Sequence, residues 1–239
     1  IEIGGGTATA LVVPASGTGT YYLVSAQVGT APQSFTAEST PVSNGSYGGY
    51  FRNSLGELVF AMRTGPGAYF RAAGSSTWAP LTAPCASRAG GAAVGSLFLN
   101  GSSEGMVAAC SLGVAAGSSQ KEVDISTNGG SSWQTLNAPP FPGDLSSVAA
   151  GSANNISVAA VSGASFLYSS TDGGRTWNTY TFGSSPQAAG GYGIQDLGYT
   201  TATQAFCILG SPGDATSGLS QSQMYITSDG GANWSQVSF

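Results

Sequence analysis

Three segments of eight residues repeat one pattern in this chain, and this repeat constrains the fold more than any other feature of the sequence. They align without gaps at Ser126–Trp133, Ser170–Trp177 and Thr227–Trp234. Each reads Ser/Thr-x-Asp/Asn-x-Gly-x-x-Trp, and six of the eight positions agree in residue class in all three copies. A degenerate fourth copy at Arg71–Trp78 keeps the tryptophan and has lost the acidic residue. Self-similarity of this kind indicates a fold assembled from repeated structural units.

The residue types of the repeated segment are those of a turn between two strands. A carboxylate such as Asp172 accepts hydrogen bonds from nearby backbone N–H groups, and paired glycines permit positive φ. The tryptophan begins the next strand and is expected to be buried between neighbouring sheets. A catalytic or calcium-binding role for the carboxylates is the weaker alternative. We therefore predict a structural role for the positions that define the three intact copies: Ser126, Asn128, Gly130, Trp133, Ser170, Asp172, Gly174, Trp177, Thr227, Asp229, Gly231 and Trp234.

The same order of strands surrounds each segment. In the clearest copy, strand-like runs at 145–151, 156–161, 165–169 and 177–182 are separated by turns. This predicts a four-stranded meander of about 40 residues, the size of one propeller blade. We thus expect an all-β chain in which residues 1–239 form a single β-propeller of about five four-stranded antiparallel blades, the first with three or four strands. The blade boundaries are predicted at 1–43, 44–91, 92–143, 144–188 and 189–239.

The repeated segment resembles the Asp-box, also called the BNR or sialidase-type repeat. That resemblance implies a propeller whose boxes lie on the face opposite the ligand site. The blade at 144–188 is also similar to blades of photosystem-assembly propellers, sortilin-type receptors and Asp-box xyloglucanases. Because these families differ in function, the resemblance implies the fold alone. Phe51-Arg52-Asn53 lacks the Ile-Pro of the sialidase signature, so sialidase activity is not expected.

Charged groups are scarce and mostly acidic. The chain has 11 carboxylate and 6 basic side chains, a formal net charge of −5 and no histidine. Binding to nucleic acid or to an anionic membrane surface requires clustered Lys and Arg, so both are excluded. No apolar run reaches roughly 18 residues, so no membrane insertion is expected. Without histidine, Ser-His-Asp and Cys-His catalytic groups and imidazole metal sites are excluded, and neither a metal nor a cofactor is predicted.

The low charge content favours a secreted, extracellular protein. Few groups titrate as the pH of the medium falls, and Lys121 is the chain's only lysine. The first six residues lack the basic and apolar regions of a signal peptide, which indicates that any signal has been removed. Cys207 lies in an apolar strand and is expected to be a buried thiol. Cys85 and Cys110 are expected to form a disulfide if the compartment oxidises thiols.

Loop lengths predict where a ligand site lies. The loops between second and third strands, and those between blades, leave the face opposite the repeated segments. The second-to-third loop is short in the fourth blade and long at 111–120 and 210–221, which predicts a cleft above the fourth blade. Asp144 and Asp196 are the candidate catalytic pair, and each alternatively closes a turn. The candidate ligand-binding residues are Tyr50, Arg52, Arg88, Tyr192 and Asp214.

Three functions are compatible with these residues. The favoured one is a secreted binding or scaffold module that engages a glycan or a protein through tyrosines and hydroxyl groups. The alternative is a small glycoside hydrolase that uses Asp144 and Asp196 as its carboxylate pair. A surface-layer or fibre subunit is the third, because the chain has few charges and many β-edges. The oligomeric state stays open.

Overall fold

The computed structural model describes residues 2–4, 6–12, 22–29, 35–38, 40, 47–52, 57–62, 68–85, 97–102, 105–182, 193–210 and 222–238. These residues form twenty β-strands in five antiparallel four-stranded sheets that stand in a ring. The described residues contain no helix, and hence none that could cross a membrane. The predicted all-β fold, a five-bladed propeller, is therefore confirmed.

Each sheet is one blade, and its four strands follow one another in the chain. Blade 1 contains β1 Glu2–Gly4, β2 Thr7–Val12, β3 Tyr22–Gln27 and β4 Thr36–Glu38. Blade 2 contains β5 Tyr47–Arg52, β6 Leu58–Met62, β7 Ala68–Arg71 and β8 Ala79–Leu81. Blade 3 contains β9 Leu97–Ser102, β10 Gly105–Ala115, β11 Ser118–Ser126 and β12 Gln134–Thr135. Blade 4 contains β13 Asp144–Ala150, β14 Ile156–Val161, β15 Ser165–Ser170 and β16 Asn178–Phe182. Blade 5 contains β17 Gly193–Tyr199, β18 Ala205–Gly210, β19 Gln223–Thr227 and β20 Ser235–Gln236.

The first strand of each blade is the innermost. The first strands of neighbouring blades contact one another, as β5 does with β9, β9 with β13, and β13 with β17. Blade 1 has four strands rather than three, because β1 pairs with β2 in antiparallel register. The sequence did not identify β1, since three residues are too short for a period-two pattern to show.

Apolar side chains pack between the blades and form the core. The cluster between blades 3 and 4 includes Val107, Val123, Val158 and Tyr168, all fully buried. Strands in this position are covered by a neighbouring blade on each side, which is why β14 is apolar almost throughout and does not alternate. Burial of each such aliphatic side chain contributes about 1.5–3 kcal/mol.

The repeated turns, which we define as residues 126–133, 170–177 and 227–234, join the third and fourth strands of blades 3, 4 and 5. In blade 4, Ser170 Oγ accepts a hydrogen bond from Gly174 N and donates one to Asp172 Oδ1, both at 2.8 Å. Asp172 Oδ1 also accepts the backbone N–H groups of Arg175 and Thr176, each at 3.0 Å. Gly173 and Gly174 have φ of 73° and 75°, a conformation that other residues rarely adopt. The turn is therefore closed by contacts within seven residues of chain.

The tryptophans of the repeated turns connect neighbouring blades. Trp133 Nε1 donates a hydrogen bond to Thr82 O at 2.9 Å, and Trp177 Nε1 donates one to Asn137 O at 2.8 Å. The structure leaves all three tryptophans half-buried, not fully buried as the pattern predicts. One edge of each ring packs on the core, while the indole N–H groups of Trp133 and Trp177 reach backbone acceptors near the surface. The indole N–H of Trp234 donates instead to Ser169 Oγ, at 3.2 Å.

A disulfide joins the loop after β8 to β10. It links Cys85 and Cys110, whose Cα atoms are 6.3 Å apart and whose positions differ by 25 residues. Cys85 has a φ of 61°, and its backbone N–H donates a hydrogen bond to Asp124 Oδ2 at 2.6 Å. Cys207 is a free, buried thiol, as predicted, and burial raises its pKa to about 12.

Candidate functional site

Three of the predicted ligand-binding residues, Arg88, Tyr192 and Asp214, lie outside the described residues. The predicted second wall at 210–221 lies outside them as well, apart from Gly210. The first wall, at 111–120, is not an irregular loop. It is the end of a long hairpin formed by β10 and β11, closed by Ala116 and Gly117 with φ of 51° and 75°.

This hairpin leans against blade 4 and occupies part of the space where the cleft was predicted. Ser119 N donates to Gly143 O at 3.1 Å, and Gly143 N donates to Ser118 Oγ at 3.1 Å. These hydrogen bonds attach the hairpin to the connection between blades 3 and 4. The hairpin therefore does not form a separate wall of a cleft above blade 4.

Lys121 reinforces the same contact. Although it is the chain's only lysine, it is 1% exposed. Its ammonium group lies 2.7 to 3.3 Å from five backbone carbonyl oxygens, which share its three N–H donors: those of Ser119, Pro140, Phe141, Pro142 and Gly143. Burial lowers the pKa of Lys121 to about 8, and the charge of Asp144 opposes that effect. The lysine therefore stabilises the blade connection at 140–143.

Asp144 and Asp196 lie on the innermost strands of adjacent blades but at positions that are not equivalent. Asp144 begins β13, is half-buried, and accepts the N–H of Leu145 at 3.0 Å. Both strands carry a bulge, between Leu145 and Ser147 in β13 and between Ile194 and Asp196 in β17. Aligning the bulges places exposed Asp196 at the position of Ser147, three residues further along the strand. A catalytic role for this pair stays a prediction.

Tyr50 and Arg52 are buried in the seam between blades 1 and 2. The Tyr50 hydroxyl donates to Thr9 O at 3.3 Å, and Arg52 Nε donates to Thr9 Oγ1 at 2.5 Å. Arg52 ends β5, so it lies at the end of the blade from which the first-to-second loop leaves. That is the face that carries the repeated turns. The loop lengths had predicted Arg52 on the opposite face.

A polar cleft of about 510 Å³ lies in this seam, on the face of the repeated turns. Its neutral polar lining consists of hydroxyl groups and one amide, from Thr7, Ser25, Gln27, Ser75 and Ser76. Its charged lining consists of Glu38, Arg52 and Arg71, and the remaining described lining residues are Ala37, Ala72 and Gly74. We call this site the arginine cleft.

Glu38 links the two blades at the centre of the arginine cleft. It forms ion pairs with Arg71 and, at 3.9 Å, with Arg52. Burial raises the pKa of Glu38, but hydrogen bonds from Ser25 and Arg71 and the charges of both arginines outweigh it and hold the pKa below its usual value. The carboxylate is therefore ionised, and the arginines exceed it by one positive charge among the described lining residues.

The wall formed by 71–76 belongs to the degenerate copy of the repeated turn. Arg71 occupies the position of the turn-closing hydroxyl residues Ser170 and Thr227, and Ser75 occupies that of Gly174. The turn is closed differently here: Thr77 N donates to Ser75 Oγ at 3.1 Å. The sequence showed that this copy had lost its acidic residue, but not that Arg71 points towards blade 1.

Among the described residues, one group of side chains has the spacing of a metal site. The ligand atoms of Cys85, Glu122 and Asp124 lie within 4.8 Å of one another. The sulfur of Cys85 is bonded to Cys110, so it is not available as a thiolate ligand. Two carboxylates alone do not make a metal centre, and we assign none.

No protein-family model and no curated protein sequence matches the chain. Solved structures match its fold. YCF48 bound to a D1 peptide has a TM-score of 0.54 and 17% identity, over 95% of this chain and 61% of that one. The GH74 xyloglucanase from Xanthomonas campestris has a TM-score of 0.59 and 14% identity, over 99% of this chain and 38% of that one.

A catalytically inactive variant of virginiamycin B lyase from Staphylococcus aureus, solved with quinupristin, has a TM-score of 0.51 and 12% identity, over 98% of this chain and 82% of that one. The chain therefore spans about three fifths of YCF48 and two fifths of the xyloglucanase. At identities this low, the structural similarity shows a shared fold and says nothing about function. The chain is a five-bladed β-propeller.

Proposed function

We propose that this chain is a secreted Asp-box propeller that acts as a binding module, and that it binds a glycan in the arginine cleft. The observation that carries the proposal is the lining of that cleft, where five hydroxyl or amide side chains surround a fixed Arg–Glu–Arg group. Hydroxyl and amide groups both donate and accept hydrogen bonds, which suits the hydroxyls of a sugar.

The fold neighbours leave the kind of ligand open. YCF48 was solved with a peptide, and the GH74 protein is a xyloglucanase. A peptide site is usually lined by apolar and aromatic side chains. The apolar side chains among the described lining residues are the methyl groups of Ala37 and Ala72, so the lining favours a hydroxyl-rich ligand over a peptide.

Two further features support the Asp-box assignment and secretion. The repeated turns combine the hydroxyl, the carboxylate or amide, the paired glycines and the tryptophan in one hydrogen-bonded unit. The Cys85–Cys110 disulfide is the kind of bond that persists in oxidising compartments. Secretion is tested by detecting the disulfide-bonded chain in the culture medium of its source organism.

Binding in the arginine cleft is tested by filling it. Ser76 is exposed at the rim, and Arg175 is the exposed residue at the equivalent position of the blade 4 turn. On a glycan array followed by calorimetry, we expect Ser76→Tyr to weaken glycan binding by at least about ten-fold, or about 1.4 kcal/mol. The matched control Arg175→Tyr should bind as the wild type does. Equal binding by both variants would place the ligand elsewhere.

A further inference from the structure

We infer that the ligand of the arginine cleft carries a carboxylate, so that the glycan is an acidic one, and that Arg71 binds this group. The inference rests on the proposed function, because it names the ligand class of the same cleft. Its first support is charge. The described lining holds Arg52, Arg71 and a single carboxylate, Glu38, whereas the chain as a whole has a net charge of −5. A local positive surplus in an acidic protein attracts an anion.

The second support is the hydrogen-bonding state of Arg71. A guanidinium carries five N–H donors. Within the described part of the chain, Arg71 donates one hydrogen bond, from Nη2 to Glu38 Oε2. Its central carbon lies 5.1 Å from the ring centre of Trp78, and this contact orients the guanidinium. A held guanidinium with donors to spare is suited to a planar carboxylate, which it can bind through two parallel N–H groups.

The third support comes from comparing the four copies of the turn. In the intact copies the first position is Ser126, Ser170 or Thr227, and its hydroxyl accepts the N–H of the glycine four residues later. In blade 2 this position is Arg71, which reaches across the seam to Glu38 instead. The degenerate copy lacks the turn-closing hydroxyl at its first position, and the arginine in its place lines the cleft. Turn formation does not account for this exchange, whereas the ion pair with Glu38 and a position in the lining of the cleft do.

The rest of the lining favours a carboxylate on a sugar over a phosphate or a sulfate. Among the lining residues that the structure describes, the surplus charge is one, which matches a singly charged carboxylate. Around it lie neutral groups, Thr7, Ser25, Gln27 and Ser76, that suit ring hydroxyls. Sites for phosphate groups more often combine several cations or a helix N-terminus, and the described residues of this chain contain no helix.

The experiment compares matched acidic and neutral sugars. The probes are oligogalacturonate, alginate oligomers and hyaluronan fragments, each paired with its own carboxyl methyl ester, and binding is measured by calorimetry. We expect at least one acidic form to bind about ten-fold or more tightly than its ester at low salt. This preference should diminish only in part as sodium chloride is raised, since Arg71 is 7% exposed and salt screens buried charges less than exposed ones.

Substitutions assign the preference to Arg71. In Arg71→Gln the acidic form and its ester should bind with equal affinity, within about two-fold of each other, whatever the substitution does to binding of the ester itself. Arg175→Gln removes the same charge from the equivalent turn of blade 4 and should retain the full preference. Arg71→Lys keeps the charge but not the paired donors, so its preference should be intermediate. Thermal unfolding of each variant shows whether it is folded.

The outcomes separate this inference from the proposed function. If esters and acidic forms bind equally and Ser76→Tyr weakens both, the glycan site stands and the carboxylate inference is overturned. Tighter binding of a sulfated, carboxylate-free glycan would overturn it too. If no member of any pair binds the wild-type protein, both the inference and the glycan-binding proposal fail.

Discussion

The ammonium group of Lys121 lies 2.7 Å from the carbonyl oxygen of Gly143, and thereby fixes the connection between blades 3 and 4. Four other backbone carbonyl oxygens lie within hydrogen-bond distance of the same group and share its three N–H donors with Gly143. We expect Lys121→Met to lower the free energy of unfolding by about 3 kcal/mol, because it removes every hydrogen bond from the buried ammonium group to the connection at 140–143. Urea denaturation measures this. The exposed neighbour provides the control: Gln120→Ala should cost less than about 0.5 kcal/mol. A loss below about 1 kcal/mol for Lys121→Met would show that Lys121 does not stabilise the connection at 140–143.

Removal of the Asp172 carboxylate should destabilise the turn of blade 4. Asp172→Ala removes acceptors for the backbone of Arg175 and Thr176 and for the hydroxyls of Ser170 and Thr176. We expect a loss of about 1–3 kcal/mol in the free energy of unfolding, with ligand affinity at the arginine cleft unchanged. Thr171→Ala, in the same turn but exposed, is the control. An unchanged denaturation curve for Asp172→Ala would refute a structural role for this carboxylate.

Acid should remove the same stabilisation. Hydrogen bonds from Thr176 lower the pKa of Asp172 from 3.8 to about 2. Between these values the unfolded chain binds more protons than the folded one, so stability falls as the pH falls. We expect the difference in unfolding free energy between the wild type and Asp172→Asn to be constant above about pH 5 and to shrink between about pH 4 and pH 2. Denaturation at a series of pH values measures it. A difference independent of pH would show that the carboxylate charge contributes nothing.

Loss of the disulfide should cost more than loss of a single turn contact. The bond closes a loop of 25 residues, for which the chain-entropy estimate is about 3.5 kcal/mol. We expect the double variant Cys85→Ser, Cys110→Ser to lose about that amount, and a reductant to shift the wild type but not the variant. Cys207→Ala, at the free thiol, is the control for cysteine removal under reductant. Identical unfolding curves with and without reductant would contradict this expectation.

The sequence by itself determined the number of blades and the geometry of the intact turns. Each repeated turn is closed by hydrogen bonds between residues a few positions apart, as between Ser170 and Gly174. The residues of the turn are therefore sufficient to predict its conformation. The strands around each turn recur in the same order, which identifies four blades, and the strand-like runs within residues 1–43 indicate a fifth. Sequence patterns did not identify the very short strand β1, and they predicted a loop where β10 and β11 form an extended hairpin.

The tertiary structure alone decided where the cleft lies and which side chains line it. Arg71 and Glu38 are 33 residues apart, and Arg52 and Thr9 are 43 apart. These pairs meet because two blades pack face to face, and the register of that packing depends on side chains from both. In the sequence Arg71 is visible as a departure from the repeat, but its partner is not. Contacts across a seam between blades have no spacing in the chain that a local pattern could reveal.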